Sequence, residues 1–468
     1  MALDITIFET TSPSRFICFT IPNPSHPHHQ LVRVAVLDSP IQSTGSPRVA
    51  ALFVPNNREH EWIFSTESGH LQLLLSSPGI ERLILIGNNP VNGPDSFFNY
   101  RKDVINDSAY LEKLEVSFKP LLLALSPKIC AHNGISDIPI LSYEDNVISS
   151  IVLEKCTGIF VGEMLVEDVE IDCDSEKREF RRRLRFKRLP NLVQTEIRMV
   201  PVQDYSLDSV KIGGEVEFKP DFRVLEPPYL RAMVASLSLI SSHLEERISA
   251  KAAPKALCVG VGGGALLSFL RRQLGFEVVG VEMDEGVLRV ARQYFGLEES
   301  ESFRIIVGNA IEWMEKIVNE RSGQNLDSVA SFESEKDCCS NNLNDVDDYF
   351  DVIMVDLDCT NAMNGISAPP LEIVRKHVLL AAKSLLRDFG IFVINVIPLD
   401  RSFYDALIHK FRGVFLELYE IDIGNGENYI LIGSVSPLIS FTDDKESRFI
   451  TKLRLVISGA YVDLIRKI

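Results

Sequence analysis

The amino-acid sequence predicts an α/β protein in which a seven-stranded, mostly parallel sheet follows a β-hairpin region and a small N-terminal α/β domain. Three observations lead to this prediction. Apolar strand-like runs alternate with helix-like stretches after residue 216, which is typical of parallel sheets. Residues 177–188 alternate with a period of two, as strands do. A glycine cluster at 260–264 joins a strand-like run to a helix-like one.

The size and charge of the chain argue against several classes of protein. The 468 residues carry a net charge of −17, and 46% of them are hydrophobic, which is ordinary for a globular protein. This charge disfavours a general nucleic-acid binder. No apolar run approaches the roughly 18 residues of a membrane-spanning helix, and the N-terminus lacks the pattern of a signal peptide. The eight cysteines include no Cys-x-x-Cys pair, so we expect a cytoplasmic protein with reduced thiols and no metal site.

Residues 1–150 mix strand-like and helix-like segments, which predicts a small α/β domain. The expected strands are Val32–Leu37, Val49–Val54 and Arg82–Ile86, and the expected helices are Glu67–Ser76 and Ala109–Leu125. This region contains neither a glycine-rich phosphate loop nor a convincing catalytic set. Its sequence therefore leaves its role open.

Residues 151–215 are polarised in charge. Glu163–Glu176 contains seven acids, and Lys177–Arg188 contains eight bases with one acid. The period of two in the basic run predicts a strand with a cationic face, and Leu192–Met199 reads as the returning strand. Two interpretations of the cationic face stay open. It is either a docking surface for an acidic protein or RNA, or a solvated strand paired with the acidic segment; we favour the second.

Residues 216–468 contain seven strand-like runs. The expected strands are Ala256–Val261, Glu277–Glu282, Phe303–Val307, Asp351–Val355, Gly390–Ile397, Phe415–Ile421 and Asn428–Val435. Leu371–Leu386 is an expected amphipathic helix. A short turn at 424–426 predicts that the last two strands form an antiparallel hairpin. Residues 319–348 are acidic and poor in apolar side chains, so we expect a disordered surface loop there.

The glycine cluster is the strongest functional signal. The strand-like run leads into the glycines, which are Gly260, Gly262, Gly263 and Gly264, and an apolar helix start follows them. Glycines permit a close approach of the backbone to a ligand, and helix-start N–H groups favour anionic ligand groups. Glu282 stands at the end of the next strand, where an acid can bind both hydroxyls of a ribose. The pattern predicts a site for a nucleoside cofactor.

The residues after the later strands indicate which cofactor. Gly260, Gly262 and Ala265 also satisfy a dinucleotide fingerprint, so the glycines alone do not decide. Asn309 and Ala310 follow the third strand, where an amide can bond an adenine edge. Asp356 and Asp358 follow the fourth strand, where a carboxylate would lie beside a sulfonium and a methyl acceptor. These features favour S-adenosylmethionine, although either aspartate could simply cap the following loop.

Several stretches carry a resemblance to a known family. They are Val259–Gly264, Val281–Asp284, Asp351–Asp358, Phe180–Leu184 and Tyr229–Met233. In them the chain resembles the spermidine-synthase-like class of methyltransferases, and more closely the elongation factor one-alpha methyltransferases, the family of methyltransferase-like protein thirteen. The resemblance implies methylation of the N-terminal α-amine of that factor. It also implies that Met283 joins the cofactor-binding set. The family's lysine-methylating domain lies further N-terminal, and no second cofactor motif precedes residue 257, so lysine methylation is not expected.

Two other functions remain as alternatives. Polyamine aminopropyl transferases of the same fold continue their glycine motif with Asp-Gly, whereas Ala265 and Leu266 follow here. They also carry Asp-Gly before a glutamine in the N-terminal hairpin, where this chain has Pro190, Asn191 and then Gln194. The second alternative is an inactive scaffold that binds the cofactor. Asn309, at a position where many family members have Asp, is consistent with it.

Overall fold

The computed structural model of the chain contains two compact units. The residues that the structure describes are 4–25, 31–41, 47–89, 99–102, 108–129, 138–173, 177–203, 210–321, 349–359, 368–398, 400–424, 428–438, 447–457 and 459–468. The first unit comprises residues 1–157, 162–194 and 199–219, and the second comprises residues 158–161, 195–198 and 220–468. The division into regions 1–150, 151–215 and 216–468 stays a prediction.

The first unit is built largely from β-strands. Its strands are β1 (Phe16–Pro22), β2 (Leu31–Asp38), β3 (Val49–Phe53), β4 (Arg82–Asn88), β5 (Asn99–Arg101), β6 (Ile140–Leu141), β7 (Val147–Gly158), β8 (Gly162–Cys173), β9 (Lys177–Phe186), β10 (Val193–Pro201) and β11 (Phe218–Pro220). The last residues of β7 and β11 belong to the second unit. Its helices are Trp62–Ser65, Glu67–Leu75 and Ser108–Ala124, with a short 3₁₀ turn at Ile5–Phe8. The strands and helices expected in residues 1–150 are confirmed to within one or two residues.

Two sheets organise these strands. One has the order β1-β2-β4-β3-β6, and the other has the order β11-β10-β9-β8-β7-β5. In the second sheet the basic strand β9 runs antiparallel to the acidic strand β8. Arg182 pairs with Asp168 at 2.7 Å, and Arg185 pairs with Glu167 at 2.6 Å. The predicted pairing of the cationic strand with the acidic segment is confirmed, but these arginine side chains are largely buried rather than solvated.

The second unit contains a mixed sheet flanked by helices. Its strands are β12 (Lys255–Val259), β13 (Glu277–Glu282), β14 (Phe303–Val307), β15 (Phe350–Val355), β16 (Leu386–Val396), β17 (Glu417–Asp422), β18 (Tyr429–Ser434) and β19 (Arg466–Lys467). Its helices are Pro228–Ala235, Ser241–Ser249, Ala265–Phe269, Glu285–Tyr294, Ala310–Arg321, Lys376–Leu385, Arg401–Arg412 and Arg448–Val456; a π-turn at Leu270–Leu274 and 3₁₀ turns at Ser236–Ile240 and Tyr461–Leu464 complete them. The strand order is β14-β13-β12-β15-β16-β18-β17-β19.

The central strands are apolar on both faces, as strands of a buried parallel sheet are. Along β12, Ala256 and Cys258 belong to one hydrophobic cluster, and Leu257 and Val259 belong to the cluster on the opposite face. Strands β14, β13, β12, β15 and β16 are parallel, and β18 and β17 form an antiparallel pair beside them. The expected parallel sheet with a terminal hairpin is confirmed.

Three details differ from the sequence predictions: the number of strands, the bounds of one helix and the start of the acidic loop. Within the described residues the sheet has eight strands rather than seven, because the two-residue strand β19 pairs with β17. The helix expected at Leu371–Leu386 spans only Lys376–Leu385. It begins at Lys376 because Arg375 is extended (ψ 144°), and it ends at Leu385 because Leu386 already starts β16. The expected acidic loop begins later than predicted, because residues 319–321 end the helix Ala310–Arg321. Residues 322–348 of that loop and residues 425–427 of the hairpin turn lie outside the described residues. No helix in the described part of the chain is long and apolar enough to cross a membrane.

Candidate active site

The site is at the point where the order of the parallel strands reverses. The chain proceeds from β12 to β13 and β14 on one side, and then continues at β15 on the other side of β12. Loops that leave the carboxyl ends of such adjacent strands diverge and open a crevice for ligands. The N–H of Gly260 donates to the Val281 carbonyl, and the N–H of Asp356 donates to the Val259 carbonyl, both at 3.0 Å. The glycine turn and Asp356 therefore lie side by side.

The glycine turn requires glycine for two physical reasons. Gly260, Gly262 and Gly264 have φ values of +89°, +52° and +80°, which side chains rarely tolerate. A Cβ atom on Gly260 would also lie 2.3 Å from the backbone oxygen of Asp356. The turn is thus tightly packed against the loop after β15, and it leads directly into the helix that begins at Ala265.

Glu282, at the end of β13, lies against the glycine turn as its predicted place in the site requires. Its Oε2 accepts from the N–H of Val261 at 3.0 Å, and its Oε1 accepts from the N–H groups of Met283 (3.0 Å) and Asp284 (3.1 Å). Burial raises the pKa of this carboxyl, whereas the backbone donors lower it. The side chain is fixed by backbone groups before any ligand arrives.

Asp356 is the centre of a polar network at the end of β15. Its Oδ2 accepts from the hydroxyl of Tyr229 at 3.1 Å, and its Oδ1 accepts from the Asn395 amide at 3.3 Å. The Asn395 oxygen in turn accepts from the Asn428 amide at 3.1 Å. Burial, together with the negative charge of Asp358, raises the pKa of Asp356 to about 6. The carboxyl therefore titrates close to neutral pH.

Tyr229 stays protonated in this network. Burial and the negative charges of Asp356 and Asp358 raise the pKa of its phenol well above the usual value. Tyr229 is therefore a hydrogen-bond donor to the carboxylate at neutral pH.

The remaining predicted residues occupy different surroundings. Met283 is exposed beside Glu282. Asn309 caps the helix that begins at Ala310, since its Oδ1 accepts from the N–H of Ile311 at 2.9 Å. Ala310 packs on the hydrophobic core. The predicted contact of the Asn309 amide with an adenine edge stays a prediction, as do the cofactor and catalytic roles of the other residues.

Sequence reasoning missed several polar residues of this site. Tyr229 and Asp284 lie in stretches that carry the family resemblance, but their sequence context predicts no role for either. Thr195 carries no motif signal, although it accepts from the Gly263 N–H at 2.8 Å. Asn395, which is buried in β16 among Ile, Phe and Val residues, did leave a signal, because a buried amide needs hydrogen-bond partners.

The strand order, the glycine turn and the strand-end carboxylates together define a methyltransferase/spermidine-synthase-like α/β fold. No protein-family model matches the chain. The chain is 27% identical over 411 residues to the eEF1A lysine and N-terminal methyltransferase of Xenopus laevis, covering 85% of this chain and 52% of that protein. It is 24% identical over 419 residues to the human protein of the same name, covering 86% and 53%. The expected resemblance is confirmed, and the chain spans about half the length of these relatives.

Two solved structures are similar to parts of the chain. Human methyltransferase-like protein 13 in complex with SAH is 23% identical, with a TM-score of 0.38, covering 50% of this chain and 94% of that one. A probable spermidine synthase from Corynebacterium glutamicum is 14% identical, with a TM-score of 0.41, covering 67% of this chain and 89% of that one.

Proposed function

We propose that the chain is a cytoplasmic, S-adenosylmethionine-dependent protein methyltransferase that acts on the N-terminal α-amine of translation elongation factor one-alpha. The observation that carries this proposal is the Asp356 carboxylate, held by Tyr229 and Asn395 beside a glycine turn at the strand-order reversal. The names of the relatives support the choice of substrate.

The residues around the glycine turn fit the proposed cofactor. When bound, S-adenosylmethionine supplies an electrophilic methyl group on a sulfonium. Glu282 would hold the ribose hydroxyls, and Met283, Asn309 and Ala310 would flank the base. Gly260, Gly262, Gly263 and Gly264 would bring the backbone close to the cofactor. The turn is followed by buried Ala265 and Leu266 rather than by an acid, so the cofactor's carboxylate meets no repulsion there. This feature also weighs against the polyamine-transferase alternative, whose donor lacks that carboxylate.

The chemistry of the site suits an α-amine better than a lysine. An amine must lose its proton before it attacks a methyl group. With a pKa near 8, an N-terminal amine loses its proton at pH 7.4 for roughly 1 kcal/mol, whereas a lysine requires about 4 kcal/mol. Asp356, with a pKa of about 6, is a weak base. Such a group is matched to an acceptor that is already partly neutral.

We assign Asp356 to the acceptor amine. Its carboxylate would orient the amine by hydrogen bonding and stabilise the positive charge that develops on nitrogen. Tyr229 and Asn395 fix the two carboxylate oxygens, so little reorganisation is needed during the reaction. Asp358 or a water would receive the released proton.

A labelling experiment tests the substrate. With labelled S-adenosylmethionine and purified elongation factor one-alpha, we expect label on the N-terminal residue exposed by Met removal. Acetylating that N-terminus should abolish the labelling, because it removes the nucleophilic lone pair of the amine. Mass spectrometry of the N-terminal peptide is the measurement.

Three results would contradict the proposal, each in a different way. Label on acetylated factor or on a lysine would exclude the α-amine as acceptor. Transfer of an aminopropyl group from decarboxylated S-adenosylmethionine to putrescine would favour a polyamine synthase. A chain that binds S-adenosylmethionine and labels neither substrate would favour the scaffold alternative.

The pH dependence of catalysis gives a second test. Asp356 must be ionised and the α-amine neutral, so log(kcat/KM) should rise with slope one between about pH 6 and 8 and with slope two below about 6. Asp358→Asn removes a negative charge that raises the pKa of Asp356, so the break near 6 should move to lower pH. The measurement is the profile of kcat/KM for an N-terminal peptide of the substrate.

Glu115→Gln is the matched control for this change. It also removes one negative charge, but from an exposed position on the helix Ser108–Ala124 of the first unit. We expect its profile to overlay that of the wild-type protein. A break that stays in place in Asp358→Asn would show that Asp356 is not the group titrating near pH 6.

A further inference from the structure

Two short segments belong to the second unit although the chain on either side of them belongs to the first. These inserted segments are residues 158–161, at the turn between β7 and β8, and residues 195–198, within β10. Each contacts a loop that carries predicted cofactor-binding residues. The mechanism proposed above assigns neither segment a role.

The segment 195–198 contacts the glycine turn through Thr195. The Oγ1 of this buried threonine accepts from the N–H of Gly263 at 2.8 Å. A Cβ atom on Gly263 would lie 2.6 Å from the Thr195 methyl and 2.9 Å from the ring of Phe295. Gly263 is therefore glycine because these two side chains pack onto it, and its N–H is directed to the threonine.

The segment 158–161 contacts the loop after β13 through Asp284. The Oδ2 of this buried carboxylate accepts from the N–H groups of Phe160 (2.7 Å) and Val161 (3.0 Å). Its Oδ1 accepts from the N–H of Gly286 at 2.9 Å and caps the helix Glu285–Tyr294. The backbone N–H of Asp284 donates to Glu282. One chain of hydrogen bonds thus connects the segment to the ribose-binding acid.

From these contacts we infer that Thr195 and Asp284 are positioning residues for the cofactor, and that the inserted segments are part of its site. The inference rests on the proposed function, because it concerns the affinity for S-adenosylmethionine. Thr195 fixes the middle of the glycine turn, and Asp284 fixes Glu282. If either contact is lost, the loop that it holds becomes mobile in the cofactor-free protein. Cofactor binding must then order this loop again, and that cost lowers the affinity.

Thr195→Val is the first variant, because it keeps the shape of the side chain and removes the acceptor. The N–H of Gly263 is then buried without a partner. We expect the Kd for S-adenosylhomocysteine and the KM for S-adenosylmethionine to rise about tenfold, with kcat within about twofold of wild type. Thr195→Ser retains the hydroxyl and should restore both values to within about threefold. Calorimetry on the full chain gives the Kd.

Asp284→Asn is the second variant, because asparagine is as good a helix cap as aspartate. Its Oδ1 can still accept from Gly286, but its amide group presents donors to the N–H groups of Phe160 and Val161. We expect the Kd for S-adenosylhomocysteine to rise at least fivefold while the helix remains capped. Thr20→Val is the matched control for Thr195→Val, because it makes the same exchange at an exposed position in β1. It should leave the Kd for S-adenosylhomocysteine unchanged.

The outcomes separate this inference from the proposed function. If the wild-type chain does not bind S-adenosylhomocysteine, the proposed function fails. If the wild type binds, and Thr195→Val and Asp284→Asn bind equally well with only a lower melting temperature, the two residues are structural and the inference is wrong. If Thr195→Val does not fold, Asp284→Asn still tests the inference. A wild-type Kd for S-adenosylhomocysteine in Asp284→Asn overturns the inference for Asp284, and a Kd at least fivefold higher supports it.

Discussion

Replacing Asp356 by asparagine should lower kcat at least hundredfold and leave the Kd for S-adenosylhomocysteine within about threefold of wild type. A preorganised group that stabilises the charge developing in the transition state contributes about 10²–10³-fold to rate. Asparagine has nearly the same shape, and its oxygen can still accept from the Tyr229 hydroxyl, 3.1 Å away in the wild-type chain. The charge is therefore lost with little change in side-chain volume, although the new NH₂ group cannot accept from the Asn395 amide as the carboxylate does at 3.3 Å. Single-turnover kinetics and calorimetry on the same preparation measure both quantities.

Tyr229→Phe is the natural comparison for this variant. It removes one hydrogen bond from the Asp356 carboxylate but leaves the charge in place, so we expect a smaller loss of turnover, about tenfold. If Asp356→Asn turns over at the wild-type rate, Asp356 has no catalytic role. An Asp356→Asn chain that also fails to bind S-adenosylhomocysteine would instead place Asp356 among the cofactor contacts.

The longer strands of the second unit could be predicted because β-branched and aliphatic residues are concentrated in them, and the central strands β12 and β15 are largely buried on both faces. Strands β13 and β14 begin and end at the predicted residues. The start of the helix Lys376–Leu385 could not be predicted in the same way. Ile373 and Val374 continue its apolar spacing and are buried, but they lie in a turn before the extended Arg375. Burial alone therefore does not distinguish a helix from the turn that precedes it.

The site divides into a local part and a long-range part. The glycine turn and Glu282 could be predicted, because a turn that needs positive φ values and an acid at the next strand end leave a pattern within 23 residues. Tyr229 is 127 residues from Asp356, Thr195 is 68 residues from Gly263, and Phe160 is 124 residues from Asp284. Only the folded chain brings these partners together, so no spacing rule could identify them.

Replacing Gly260 by alanine should cost both stability and catalysis, because the new methyl group has no room. In addition to the roughly 1–2 kcal/mol for an alanine at positive φ, the Cβ atom would lie 2.3 Å from the backbone oxygen of Asp356. Relief of that contact requires the ends of β12 and β15 to separate, which displaces the Asp356 carboxylate from the glycine turn. A displacement of this kind costs about a hundredfold in rate. We expect kcat/KM to fall at least hundredfold.

Gly275→Ala separates the two contributions, because Gly275 also has a positive φ value but lies in open surroundings. Its φ is +80°, and a Cβ atom there would meet nothing within 4 Å. This variant should lose roughly 1–2 kcal/mol of unfolding free energy and keep its kcat/KM. Urea unfolding and steady-state kinetics of both variants measure the difference. Because an alanine at positive φ is common to both variants, an additional loss of kcat/KM in Gly260→Ala reports the contact with Asp356. Equal losses in the two variants would mean that the close approach of the turn to Asp356 has no part in catalysis.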